Sequence, residues 1–190
     1  MALIPDTQGK LREARLFLNK LIEEDGVLLP PAETSETFLH HLSAFLSAAR
    51  SVTYVLQAEQ KHLYDAWFDS WKDSLPDKGA LLRFFNNQRI QEIHRTGAGV
   101  TSTIEDVPAT KFAPKPGDFP AGIHISAPPG TPITTVEQTV LFFEIDGALE
   151  EVPHACGRYL AILARLVTEF EAAHSTSAKT GVETCPNSGG

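Results

Sequence analysis

"FLHHLSAFLSAARSVTYVL", Phe38–Leu56, carries its apolar residues at Phe38, Leu42, Phe45, Leu46, Ala49, Val52, Val55 and Leu56. Steps of three and four recur along the whole stretch, the period of an amphipathic helix rather than of a strand. Between them sit Ser43, Ala44, Ser47, Ala48 and Ser51. Such small side chains let a neighbouring backbone approach closely, so this helix is expected at the centre of a bundle. Pro30 and Pro31 precede it as breakers, and Thr34 or Ser35 is placed to cap it.

The flanking segments follow the same period. In "KLREARLFLNKLIEED" the apolar set is Leu11, Ala14, Leu18, Leu21 and Ile22, and Gly26 ends the run. "HLYDAWFDSWKDSL" stacks Tyr64, Trp67, Phe68 and Trp71, with Asp65, Asp69 and Asp73 on an adjacent face. The aromatic stripe is expected in the core and the aspartates in solvent, and Pro76 stops this helix. A fourth helix is predicted from about Lys78 to Arg95, released by Gly97 and Gly99.

Residues 98 to 132 hold seven of the chain's 13 prolines and no helical period. They read as an irregular excursion with "GIHISA" as one short strand. "QTVLFFEI" is the strongest strand pattern, and Asp146–Gly147 is a hairpin signal leading into "ALEEV". Pro153 suits the first turn of a last helix, whose stripe runs Cys156, Tyr159, Leu160, Leu163, Leu166, Val167 and Phe170 to an end near His174. The expected architecture is mainly α. It is a helical bundle of about five helices, with a proline-rich loop and a small β-hairpin inserted before the last helix. Residues 1–175 form one domain, with 98–152 as the irregular and β insertion, and 176–190 a disordered tail.

Composition narrows the function classes. Cys156 and Cys185, 29 positions apart, make neither a disulfide framework nor a zinc pattern. The N-terminus lacks the basic region and apolar run of a signal peptide, so a soluble, cytoplasmic chain is expected. There is no Gly-rich phosphate loop, no GxSxG elbow, no HExxH and no EF-hand loop. The seven histidines are scattered, and no metal or cofactor is expected.

Net charge is −8, yet residues 78 to 95 carry Lys78, Arg83, Arg89 and Arg95 against Glu92 alone. That island is +3 and the remainder −11. Within it, "FFNNQRIQEIHRTGAG" places Arg89 and His94 five apart behind Asn86 and Asn87. Arginine offers a planar, permanent cation suited to a phosphodiester, and histidine exchanges a proton near neutral pH. The pair suffices in principle for metal-independent RNA cleavage. On a helix, positions i and i+5 stand about 140° apart and about 7.5 Å along the axis, so both must flank one cleft rather than share a face. The alternative roles are a salt bridge for Arg89, and favourable placement of His94 and Arg95 at the negative end of the helix dipole.

The long small-residue helix, the further bundle helices and an Arg separated from a His by four residues resemble the HEPN superfamily of bacterial defence and toxin–antitoxin proteins. The resemblance covers about residues 8 to 175. It implies a helical, usually dimeric domain, often a metal-independent endoribonuclease, with Arg89 and His94 as the catalytic pair. Asn86, Asn87, Arg95 and Arg83 would then bind RNA. Expected partners are RNA, a second copy of the chain, and an antitoxin or other protein, with no membrane. The alternative is a non-catalytic helical interaction module that binds a partner protein or a small ligand.

Overall fold

The computed structural model describes residues 4–25, 36–94, 99–108 and 135–175. Five helices and three strands follow in order: α1 (Pro5–Asp25), α2 (Glu36–Glu59), α3 (Lys61–Asp73), α4 (Ala80–His94), β1 (Thr101–Pro108), β2 (Thr135–Ile145), β3 (Ala148–Glu151) and α5 (Val152–His174). The mainly α bundle expected from periodicity is the observed fold. Thr34, Ser35, "GIHISA" and the C-terminal tail lie outside the described residues.

Helix α2 is central because its apolar residues point to more than one neighbour. Phe38, Leu42, Phe45, Leu46, Ala48, Ala49, Val52 and Leu56 are all buried, in one core cluster with Leu18 and Leu21 of α1 and Leu163 and Leu166 of α5. Helix α1 starts at Pro5, several residues before its apolar stripe becomes regular, because its first turn is held from outside. The Glu59 carboxylate at the end of α2 accepts the backbone N–H of Asp6 and of Thr7, each at 2.9 Å, and the Thr7 hydroxyl. Those amides have no partner within the helix, so a carboxylate there both satisfies donors and meets the positive end of the dipole. The start of α1 thus lies at the end of α2, and the two run antiparallel. The Gln8 amide, bonded to Glu171 at 2.8 Å, brings the end of α5 to the same place.

Helix α3 docks through its aromatic stripe, as expected. Tyr64 stacks on Phe68 at 4.6 Å, and Trp67 on Trp71 at 5.6 Å. Trp67 also meets Phe170 of α5 edge-on at 5.4 Å. The Trp71 indole donates to Glu169 at 2.6 Å, so its one polar atom is satisfied as the ring is buried. Asp65, Asp69 and Asp73 are exposed.

The β region differs from expectation. Instead of a two-stranded hairpin there is a three-stranded antiparallel sheet of order β1-β2-β3, with Thr101 opposite Phe142 and Pro108 opposite Thr135. Residues 101–108 had read as part of the irregular excursion. They pair as an edge strand whose only buried side chain is Val107, so no apolar alternation marked them. The hairpin between β2 and β3 turns at Asp146 (φ 52°) and Gly147 (φ 79°), both left-handed as a two-residue type I′ turn requires. Strand β2 is apolar on both sides: Leu141 and Phe143 enter the bundle core, while Val140 and Phe142 close a separate cluster with Val107. Among the described residues no helix is long and apolar enough to cross a membrane.

Replacing Glu59 by alanine leaves two backbone donors and one hydroxyl without their acceptor, and should cost about 2 kcal/mol of stability. Urea denaturation of Glu59→Ala and Glu59→Gln checks this, with Gln recovering part of the loss.

Candidate functional site

Helix α4 begins in a turn that its sequence dictates. Lys78 (φ 47°) and Gly79 (φ 74°) are both left-handed. The Asp77 carboxylate accepts the N–H of Gly79 at 3.0 Å and of Leu81 at 2.9 Å, capping the first turn. A Cβ on Gly79 would stand 2.6 Å from the Lys72 Cγ, so glycine is needed for space as well as for φ. The Lys78 carbonyl then accepts from Arg83 Nη1 at 2.8 Å, which holds that guanidinium at the mouth of the turn.

Along α4, Leu81, Leu82, Phe85 and Gln88 are buried. Phe85 lies flat on Tyr159 of α5, at 4.3 Å and 3° between planes. Phe84 and Phe85 meet Phe143 of β2 at 5.4 and 5.7 Å. Buried Gln88 reaches past the helix end and accepts the N–H of Gly99 at 3.1 Å, which ties down the chain leading to β1.

With that face turned inward, Arg83, Asn86 and Arg89 follow at three-residue steps, each rotated by about 60°, along the flank of α4 that borders α2. Arg83 and Asn86 line a cavity between the helices. Arg89 is half-buried, and its Nη2 donates to the Ser47 hydroxyl of α2 at 3.3 Å. The small-residue stretch of α2 therefore receives the α4 arginine. Asn87 is exposed, away from this seam. His94 is the last residue of α4. Its side chain, and the whole of Arg95, lie outside the described residues. The structure thus brings together three of the six nominated residues, Arg83, Asn86 and Arg89.

The cavity has a volume of about 490 Å³. Helix α2 supplies Arg50, Thr53, Tyr54 and Gln57, α3 supplies Tyr64, Asp65, Phe68, Asp69 and Lys72, and Tyr159 of α5 joins them. Arg50 lies 4.0 Å above the Tyr54 ring and donates to the Thr53 hydroxyl at 2.9 Å. The acids of the wall are already paired. Asp65 accepts from Lys61 at 2.6 Å and Gln57 at 2.7 Å, and Asp69 from Lys72 at 2.8 Å. These lysine and glutamine hydrogen bonds lower the Asp65 carboxyl below its ordinary range.

Burial pushes the Tyr159 phenol up to about 12 and raises Tyr64 further, while the charge of Arg50 pulls both the other way. Neither phenol ionises near neutral pH, so each can serve as a hydrogen-bond donor and neither as a resting base. Sequence reasoning had nominated Arg83 and Asn86 but missed Arg50 and the two tyrosines. A usable signal was present: from Leu42 to Ala58, Arg50 is the single charged residue. Comparison with protein-family models, curated proteins and solved structures finds no match to this chain.

Two outcomes follow from this geometry. Gly79→Ala should destabilise by more than about 1 kcal/mol, read by thermal or urea unfolding, because the new methyl meets both an unfavourable φ and the Lys72 stem. Tyr159 has a higher pKa folded than its ordinary 10, so the native state holds a proton that the unfolded chain loses. The stability due to it is complete below pH about 10 and falls as pH rises towards 12. Unfolding measured across that window should show a shallower alkaline decline in Tyr159→Phe than in the wild type.

Proposed function

We propose that the chain is a HEPN-like helical module that acts, as a homodimer, as a metal-independent endoribonuclease of a cytoplasmic defence or toxin–antitoxin system. The observation that carries this reading is the seam between α2 and α4. Arg83, Asn86 and Arg89 run along it in a row, with Arg50 across from them on α2. A row of guanidinium and amide donors in an otherwise acidic chain fits a phosphodiester backbone better than any other common polymer.

In the proposed reaction His94 takes the proton of a ribose 2′-hydroxyl. The 2′-oxygen attacks the adjacent phosphorus, the bond to the 5′-oxygen breaks, that oxygen takes its proton from water, and His94 returns the 2′-proton to the solvent. The product pair is a 2′,3′-cyclic phosphate and a 5′-hydroxyl. Arg89 stabilises the charge that builds on the non-bridging oxygens. Arg83 and Asn86 hold neighbouring backbone, and Asn87 and Arg95 extend the contact. A homodimer brings two α4 ends to one groove, which meets the requirement that residues five apart on a helix flank a cleft.

One observation favours a second reading, a non-catalytic interaction module. The bond from Arg89 to Ser47 gives the arginine a role in joining α4 to α2. The two are separated by incubating structured RNA with the protein in the presence of a metal chelator. Endonucleolytic cleavage that His94→Ala and Arg89→Ala each reduce by about 100-fold or more supports the enzyme. Binding without cleavage in a folded dimer supports the module, and cleavage that His94→Ala leaves intact removes the catalytic assignment.

A further inference from the structure

The cavity beside the seam has its own chemistry, and Arg50 lines it while Arg89 does not. We propose that it is a receptor for a small aromatic oxyanion. Arg50 and Arg83 would hold the charged end, and the Tyr54, Tyr64 and Phe68 side chains the ring. Three observations on the cavity walls converge on this ligand.

The first is an imbalance of charge. Asp65 and Asp69 are each bonded to a lysine. Arg50 and Arg83, in contrast, bond only to neutral groups: the Thr53 hydroxyl and Tyr54 ring for one, the Lys78 carbonyl for the other. Two forked cations with no carboxylate of their own among the described residues make a receptor for an anion, and a planar oxyanion suits their geometry.

The second is a pair of hydroxyl donors on buried rings. Tyr159 is 3 % exposed and Tyr64 7 %, and both line the cavity. No hydrogen bond within the described residues engages either hydroxyl, and neither oxygen is sealed away from solvent without a partner, so both open onto the cavity. Both phenols keep their protons at neutral pH, so each offers an O–H to an acceptor in the cavity.

The third is the shape and apolar part of the wall. About 490 Å³ lies within the range of small-molecule sites. Phe68, stacked on Tyr64 at 4.6 Å, and Leu82 give it an apolar side against which a ring can lie. Carboxylate and phosphate monoester share this chemistry, and the site can be asked which it takes.

The test is titration calorimetry of the full-length protein with benzoate, phenyl phosphate, inorganic phosphate and benzyl alcohol. Saturable binding of benzoate or phenyl phosphate is expected, with the tighter of the two naming the source of the charge, and with weaker binding of inorganic phosphate and benzyl alcohol. Arg50→Met, which keeps the stem and removes the charge, should weaken the preferred probe by about tenfold or more. Tyr159→Phe, which removes one hydroxyl from a buried ring, should weaken it by about threefold. Either loss in a variant with wild-type circular dichroism supports the site. The proposal is overturned if neither aromatic anion binds the wild type, if inorganic phosphate binds as well as phenyl phosphate, or if both variants bind as the wild type does. The readout is small-probe binding, so its failure leaves the RNA-cleavage reading to its own experiment.

Discussion

The Phe85–Tyr159 stack fixes more of this molecule than any other contact. The two rings lie 4.3 Å apart and nearly parallel, and Phe45 of α2 meets both edge-on at 6.5 and 6.4 Å. One point of contact therefore joins α2, α4 and α5, three helices far apart in sequence. It also sets the rotation of α4 about its axis. With Phe85 inward, the positions at three-residue intervals from Arg83 to Arg89 must wind along the flank beside α2. Each ring buried this way contributes about 2 to 3 kcal/mol from apolar area alone. The same Tyr159 that anchors the helix turns its remaining surface to the cavity, so packing and site share a side chain.

Charge is arranged around that core in two different ways. Carboxylates at the periphery act as clamps between elements: Glu59 on the start of α1, and Glu169 on both Arg165 and the Trp71 indole. The guanidinium and indole donors hold Glu169 below its ordinary carboxylate range. That favours its ionised form in the fold, and its contribution is present above the ordinary pKa and lost as pH falls through the acid range. The cations of the α2–α4 seam are treated differently. Arg50 and Arg83 bond to neutral oxygens and an aromatic face, which orient a guanidinium without cancelling its charge.

Helices α1, α2, α3 and α5 were legible because each carries an apolar stripe at helical spacing, whereas the buried face of α4 is interrupted by Gln88. Pro76 ends α3 in plain sight and Asp146–Gly147 announces its hairpin, whereas the left-handed turn at Lys78 and Gly79, which holds the start of α4 back to Ala80, lies inside the helix expected from Lys78. Strand β1 was hidden for the opposite reason. "TSTIEDVP" is held by backbone pairing to β2 and buries one side chain, so nothing in its residue types records the pairing. The site was legible in part. The +3 island located α4, and helical geometry ruled out a shared face for Arg89 and His94. Ser47 entered only as a small residue, and its hydroxyl was invisible as a partner because 42 positions separate it from Arg89. The cavity needed four helices to converge, which no local period reports.

Arg50 shows how those levels meet. It sits in the middle of α2 on a stretch with no other charge, half-buried, with two deeply buried phenols sharing its cavity. A guanidinium moved out of water in this way loses hydration that one hydroxyl and one ring only partly replace. Its field stabilises the phenolate forms of Tyr64 and Tyr159, yet burial outweighs it and both stay protonated. Cation and hydroxyls are then all donors with no acceptor of full charge among them. An oxyanion entering the cavity would offer acceptors to all of these donors and a charge to the cation, whereas a neutral guest would offer acceptors alone. The residue that composition marks as out of place on α2 is thus the cation on which the proposed anion site rests.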